Sequence, residues 1–195
     1  MDNQQLEQII YQVKQGDLQQ FTRVIEYYQK PLYHYIYCIV NCTQDAEDIV
    51  QDTFFMAIRK IRKYKSDTKF SAWIYRIARN ISYNYIKKRK RILLFDCLDI
   101  TTMLEERNFT LMSNNDLQHK MNEVFQHMTF QEKNIMVLRI YEEKPYEEIA
   151  YIMKISQSTC RKKYERARKK FIELYQNVDK EEYRYGCREE LKNVF

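Results

Sequence analysis

The chain has 195 residues, 45% hydrophobic and 14% aromatic, with 2 Gly, 2 Pro and a net charge of +6. That length allows one or two domains with real cores, and the scarcity of Gly and Pro disfavours strand-and-turn architectures in favour of long helices joined by short polar turns. The basic balance suits a polyanionic partner. No apolar run is long enough for a membrane span, the first residues lack a secretory pattern, and five scattered cysteines argue for reduced thiols, so a cytoplasmic protein is expected.

In chain order, residues 4–14 read as a short first helix ended near Gly16-Asp17, and 18–40 as a second that Pro31 could kink or break. Thr43 is a candidate N-cap for a third helix running to about Tyr64, with Asp45, Glu47 and Asp48 in its first turn. Ala46, Ile49, Val50, Thr53, Phe54, Ala57, Ile58 and Ile61 form its apolar stripe, and another face carries Asp48, Gln51, Asp52, Phe55 and Arg59. Phe55 fits either a wide core stripe or an exposed anchor for a partner; both readings stay open.

After a polar loop, Lys65 to Lys69, comes FSAWIYRIARNISYNYIKKRKR. Phe70, Trp73, Ile74, Ile77, Ala78 and Ile81 define one face of a helix. The remaining faces are expected to show Tyr75, Arg76, Arg79, Asn80, Tyr83, Asn84 and Lys87. Cations there can neutralise phosphates, aromatics can stack on unpaired bases and amides can bond base edges.

Residues 92–116 lose periodicity and turn acidic. The charge is +7 over residues 1–91, −4 over 92–116 and +3 over 117–195. Two basic helical domains, 1–91 and 117–175, joined by a flexible acidic linker and followed by a charged tail at 176–195, give an all-α fold.

In the second domain, helices are expected over 117–128 and 130–141, with Thr129 capping the latter, then Tyr146–Met153 after Pro145, and a long helix from Gln157 to about Tyr175. The segment PYEEIAYIMKISQSTCRKKYERARKKF has helix-turn-helix spacing. Ile149, Ala150, Met153, Ile155 and Cys160 fill the angle between its helices. Ser156, Gln157, Ser158 and Thr159, then Arg161, Lys162, Lys163 and Arg166, make a candidate major-groove surface. Lys154 stands at the turn position where a positive φ usually calls for glycine.

These motifs together resemble bacterial sigma factors of the extracytoplasmic-function type. DAEDIVQDTF (45–54) and FSAWIYRIARN (70–80) resemble the two region-2 signatures, and 145–170 resembles region 4. The resemblance implies that Asp48, Gln51, Asp52, Phe55 and Arg59 face the clamp helices of core RNA polymerase. It implies that Lys65, Asp67, Lys69, Arg76, Asn80, Tyr83, Asn84 and Lys87 lie near the melted −10 promoter element, where an unstacked base enters a pocket beside the 65–69 loop. Region 4 would read the duplex −35 element, and the linker would thread polymerase channels. An anti-sigma partner, in this family often membrane-anchored, is also implied. No cofactor, small-molecule substrate or enzymatic activity is expected, because the polymerase performs the chemistry. Asn84, Cys160 and Lys154 depart from the family pattern.

Two other readings compete. A stand-alone helix-turn-helix regulator would bind duplex DNA without polymerase. His34, Cys38 and Cys42, at i, i+4 and i+8, could hold a metal or a redox site, but such residues are more often helix packing. No phosphate loop or catalytic constellation is visible.

Overall fold

The computed structural model describes residues 2–95 and 115–192, and every regular element among them is helical. Helix α1, Asn3–Lys14, opens with a capping box: Asp2 accepts from the Gln4 and Gln5 amides at 2.6 and 3.0 Å, and Gln5 bonds back to the Asp2 amide. Leu6, Ile9, Ile10 and Val13, one stripe at helical spacing, are buried. Gly16, at φ 111°, ends it with backbone that a side chain would strain.

A 3₁₀ turn, Leu18–Gln20, leads into α2, Phe21–Val40, which runs through Pro31 as one helix. Its buried face, including Phe21, Val24, Tyr28, Leu32, Tyr35, Ile36 and Ile39, holds the segment together where the proline removes a backbone donor. Fully burying one such aliphatic side chain contributes about 1.5–3 kcal/mol, enough to outweigh a missing hydrogen bond. Asn41, left-handed at φ 54°, closes the helix.

Helix α3 spans Thr43–Lys60. Its N-cap is Cys42 rather than the expected Thr43, which lies in the first turn, and no side chain caps it. A 3₁₀ turn, Ile61–Lys63, and residues 64–69 lead to α4, Phe70–Phe95. Helix α4 thus extends four residues past the expected domain end, and α5, Asn115–Gln126, begins inside the expected linker. The rest of that linker, 96–114, lies outside the described residues.

Helix α6, Phe130–Ile140, is capped by Thr129, with a reciprocal bond from its amide to Glu132 at 2.7 Å. Helix α7, Tyr146–Met153, and α8, Gln157–Lys192, complete the set. Helix α8 carries on through the segment expected as a charged tail.

Helices α1–α4 pack as one group and α5–α8 as another. The two groups also dock: α4 lies against α7 and α2 against α6. The buried side chains form one continuous cluster across that seam.

Candidate nucleic-acid interface

On α3 the apolar stripe turns inward, with Ala46, Ile49, Thr53, Phe54 and Ala57 buried. The opposite face presents Asp48, Gln51, Asp52, Phe55 and Arg59, all exposed. Phe55 is 59% exposed, so it is a surface side chain and not part of a wide core. The Arg59 guanidinium sits 5.5 Å from its ring centre. Asp45 accepts from Arg89 at 3.0 Å and ties α3 to α4.

The 65–69 loop exposes Lys65, Asp67 and Lys69. Tyr64, 2% exposed, anchors its start by packing against Phe70 and Trp73 at 5.3 and 5.4 Å. Its hydroxyl oxygen lies 2.7 Å from both Glu7 Oε1 and the Thr68 carbonyl, and donates its one proton to either. Lys14 Nζ donates to the Tyr64 carbonyl at 2.8 Å. Beside the loop is a cavity of about 260 Å³, bounded by Leu6, Glu7, Tyr28, the 66–69 stretch and the start of α4. Sequence reasoning missed Glu7 and Tyr64, because one carboxylate beside an apolar stripe and one tyrosine at a helix end carry no spacing signal.

Along α4, Asn80, Tyr83, Asn84 and Lys87 are exposed. Tyr75 is a correction. Expected on an open face, it is 1% exposed, because α7 and the turn before it cover that side of α4. Its hydroxyl donates to Glu142 Oε2, and Lys144 Nζ lies 4.1 Å from its ring centre. Burial, then the Glu142 charge, pushes the Tyr75 phenol far up. Burial likewise holds Glu142 above the usual carboxylate range, although Tyr75, Lys144 and His34 pull it down. Lys144 is depressed, first by burial.

The same seam engages several residues expected to meet DNA. Lys69 Nζ pairs with Glu148 Oε1 at 2.7 Å, which raises the Lys69 pKa. Ser71 donates to Glu148 Oε2 at 3.1 Å. The Arg76 guanidinium lies 4.8 Å from the Tyr151 ring centre, and Tyr83 packs 5.3 Å from Phe130. Deeper in, the Tyr35 hydroxyl donates to Asn134 Oδ1.

In the second group, Ile149, Ala150, Met153 and Cys160 are buried between α7 and α8. Lys154 adopts φ 55°, the left-handed turn that its position in the motif requires. Ser156 Oγ accepts from the Thr159 amide at 3.2 Å and so caps α8. Ser156, Gln157, Ser158, Arg161, Lys162 and Arg166 are exposed along the start of that helix, with Thr159 half-buried. Lys163 differs: half-buried, its Nζ donates to Gln131 Oε1 at 2.7 Å and braces α6.

No group of three or more metal-ligating side chains converges among the described residues. His34 is exposed, Cys38 and Cys42 are half-buried, and burial first, then Glu142, pushes the Cys38 thiol up to about 11. A thiol held protonated is a poor ligand and a poor nucleophile. No described helix is long and apolar enough to cross a membrane.

Comparison with known proteins completes the picture. Residues 24–92 match sigma-70 region 2 and residues 119–171 match sigma-70 region 4. The chain is 37% identical over 81 residues to the extracytoplasmic-function (ECF) RNA polymerase sigma factor SigW of Bacillus subtilis, a match covering 42% of this chain and 43% of that protein. It is 29% identical over 170 residues to the ECF RNA polymerase sigma-E factor of Haemophilus influenzae, covering 82% of this chain and 89% of the relative. In fold it is similar to the sigma factor RpoE of Bartonella quintana, solved in complex with the anti-sigma factor NepR, with a TM-score of 0.67 at 22% identity over 80% of this chain and 96% of that one. Both regions lie in order on one chain, and the Haemophilus relative is matched over 89% of its length: the protein belongs to the sigma-70 family, as an alternative sigma factor of the extracytoplasmic-function type that directs transcription initiation.

Proposed function

We propose that the exposed face of α3 is where this sigma factor holds core RNA polymerase. Asp48, Gln51 and Asp52 supply charge-assisted bonds, Phe55 is the apolar anchor, and Arg59 holds the ring's orientation. The single observation that carries this is Phe55. A large aromatic left 59% exposed amid acidic side chains on a basic domain is a feature that folding alone does not require.

The loop residues Lys65, Asp67 and Lys69, with Arg76, Asn80, Tyr83, Asn84 and Lys87 of α4, engage the melted −10 strand. Cations meet phosphates there, and Tyr83 offers a stacking face once Phe130 moves away. Ser156 to Thr159, with Arg161, Lys162 and Arg166, read the −35 duplex from the N-terminal part of α8. Lys163 reaches a phosphate directly only if it releases Gln131.

The protein works in the cytoplasm and is not itself an enzyme; bond formation belongs to the polymerase. An anti-sigma factor is its regulatory partner. The Bartonella relative, solved with NepR, supports this reading, as does the closed arrangement, in which promoter-directed cations already lie against the second domain.

The test is in vitro transcription with core RNA polymerase on genomic fragments, with and without the protein. Discrete start sites that need the protein are expected. Tight duplex binding by the protein alone, with no new starts, would overturn the reading in favour of a stand-alone regulator.

A further inference from the structure

The cavity beside the 65–69 loop has a wall that region 2 does not supply. The region-2 match begins at residue 24, yet Leu6 and Glu7 of α1 line the cavity. Glu7 is half-buried there. Its Oε1 lies 2.7 Å from the Tyr64 hydroxyl, whose one proton it shares with the Thr68 carbonyl, and its Oε2 accepts from Ser66 Oγ at 3.1 Å. A carboxylate has about four lone-pair sites, so roughly two stay available after those bonds. Lys14 fixes α1 to the same junction, through the Tyr64 carbonyl at 2.8 Å and a cation–π contact 5.0 Å from the Tyr64 ring centre. The acidic group is therefore held at the cavity from two sides and does not sweep through solvent.

The cavity's other surfaces suit a planar ring with a phosphate behind it. Tyr28 and Phe70, 5.8 Å apart, form an apolar floor. Lys69 stands at the edge, where a cation meets the backbone of an entering strand. About 260 Å³ is slightly below the ~300 Å³ at the small end of ligand sites, as suits one base more than a whole nucleotide.

Resting on the reading that this cavity receives an unstacked base of the −10 strand, we propose that Glu7 is a specificity-determining residue. It selects a base that carries an exocyclic amino group. An amino N–H at the base's outer edge donates freely to the carboxylate, whereas thymine offers only its ring N3–H, flanked on both sides by carbonyl oxygens that meet the carboxylate lone pair to lone pair. Thymine is the one DNA base without such an amino group, so it is the base this site rejects. Glu148, which holds Lys69 and Ser71 at this edge, must withdraw before a strand enters.

The cleanest test compares cytosine with uracil, which share a ring and differ along one edge: the amino group is replaced by a carbonyl oxygen, and N3 gains a proton. Holoenzyme, made from core polymerase and the full chain, is titrated with promoter DNA whose non-template −10 strand is single-stranded. Cytosine is exchanged for uracil at each position in turn. One position is expected to favour cytosine by about tenfold. In Glu7→Gln, whose amide also donates, that preference should fall to within twofold, with −35 duplex binding kept. Lys69→Ala, which removes the edge cation and leaves Glu7 and its hydrogen bonds in place, should weaken both bases together and keep their ratio. An unchanged ratio in Glu7→Gln would overturn the role of Glu7 while leaving the cavity as a base site. No cytosine–uracil difference at any position in the wild type would likewise overturn the role of Glu7, and an abasic nucleotide that binds as well as cytosine at every position would overturn the base-pocket reading.

Discussion

Lys154 carries a side chain through a left-handed turn, at φ 55°. For an L-residue that conformation costs roughly 1–2 kcal/mol, of which glycine would return part to unfolded-chain entropy. Lys154→Gly is therefore expected to stabilise the protein by about 0.5–1 kcal/mol, seen as a higher urea midpoint at unchanged slope. A lower midpoint would mean that the lysine contributes more than its backbone costs. This residue was legible in the sequence, because the helix-turn-helix spacing assigns the turn to one position. Phe55 and Tyr75 were not. A helical wheel gives each a direction but does not say what lies in that direction. For Phe55 the answer is solvent, and for Tyr75 it is the second domain.

Helix α3 shows what an element can disclose by itself. Its apolar stripe and polar face come from a 3.6-residue period, and both appear where the sequence puts them. Asp48 and Asp52, one turn apart and exposed, serve no visible role in the fold. Reversing both to lysine should cost the fold less than about 0.5 kcal/mol per site. It should strongly weaken holoenzyme assembly, measured by native gel or fluorescence anisotropy against core polymerase, and leave −35 duplex binding by the chain intact. Holoenzyme that assembles as before would remove α3 from the polymerase contact. Element ends were less legible than element faces. Pro31 does not break α2, because a buried side on both flanks carries the helix across it. The cap of α3 falls on Cys42, where backbone geometry prevails over the side chain's capping chemistry.

At the scale of the whole molecule, the decisive feature is the seam, and no single-helix pattern could announce it. Cations that the sequence assigns to DNA are engaged there: Lys69 by Glu148, and Arg76 by Tyr151. The seam is also imperfect. Arg79 Nε is buried with no hydrogen-bond partner, a loss of about 1–3 kcal/mol that opening would recover in water. Its pH dependence follows from Glu142, which Tyr75 of α4, His34 of α2 and the neighbouring Lys144 face. Burial raises the Glu142 pKa in the docked state, so docking takes up protons. Docking is then strongest below the ordinary carboxylate value of 4.5 and weakens as pH rises from there through the raised value. Lys144, depressed by burial, acts in the opposite sense only in the alkaline range below its usual 10.5. With fluorophores on α3 and α8, energy transfer should fall as pH rises out of the carboxylate range. Glu142→Gln, neutral throughout, should flatten that fall and leave the domains more closely associated at neutral pH. A wild-type transfer that ignores pH would mean that the seam's stability comes from its apolar contacts and the Tyr35–Asn134 bond, with Glu142 a passenger.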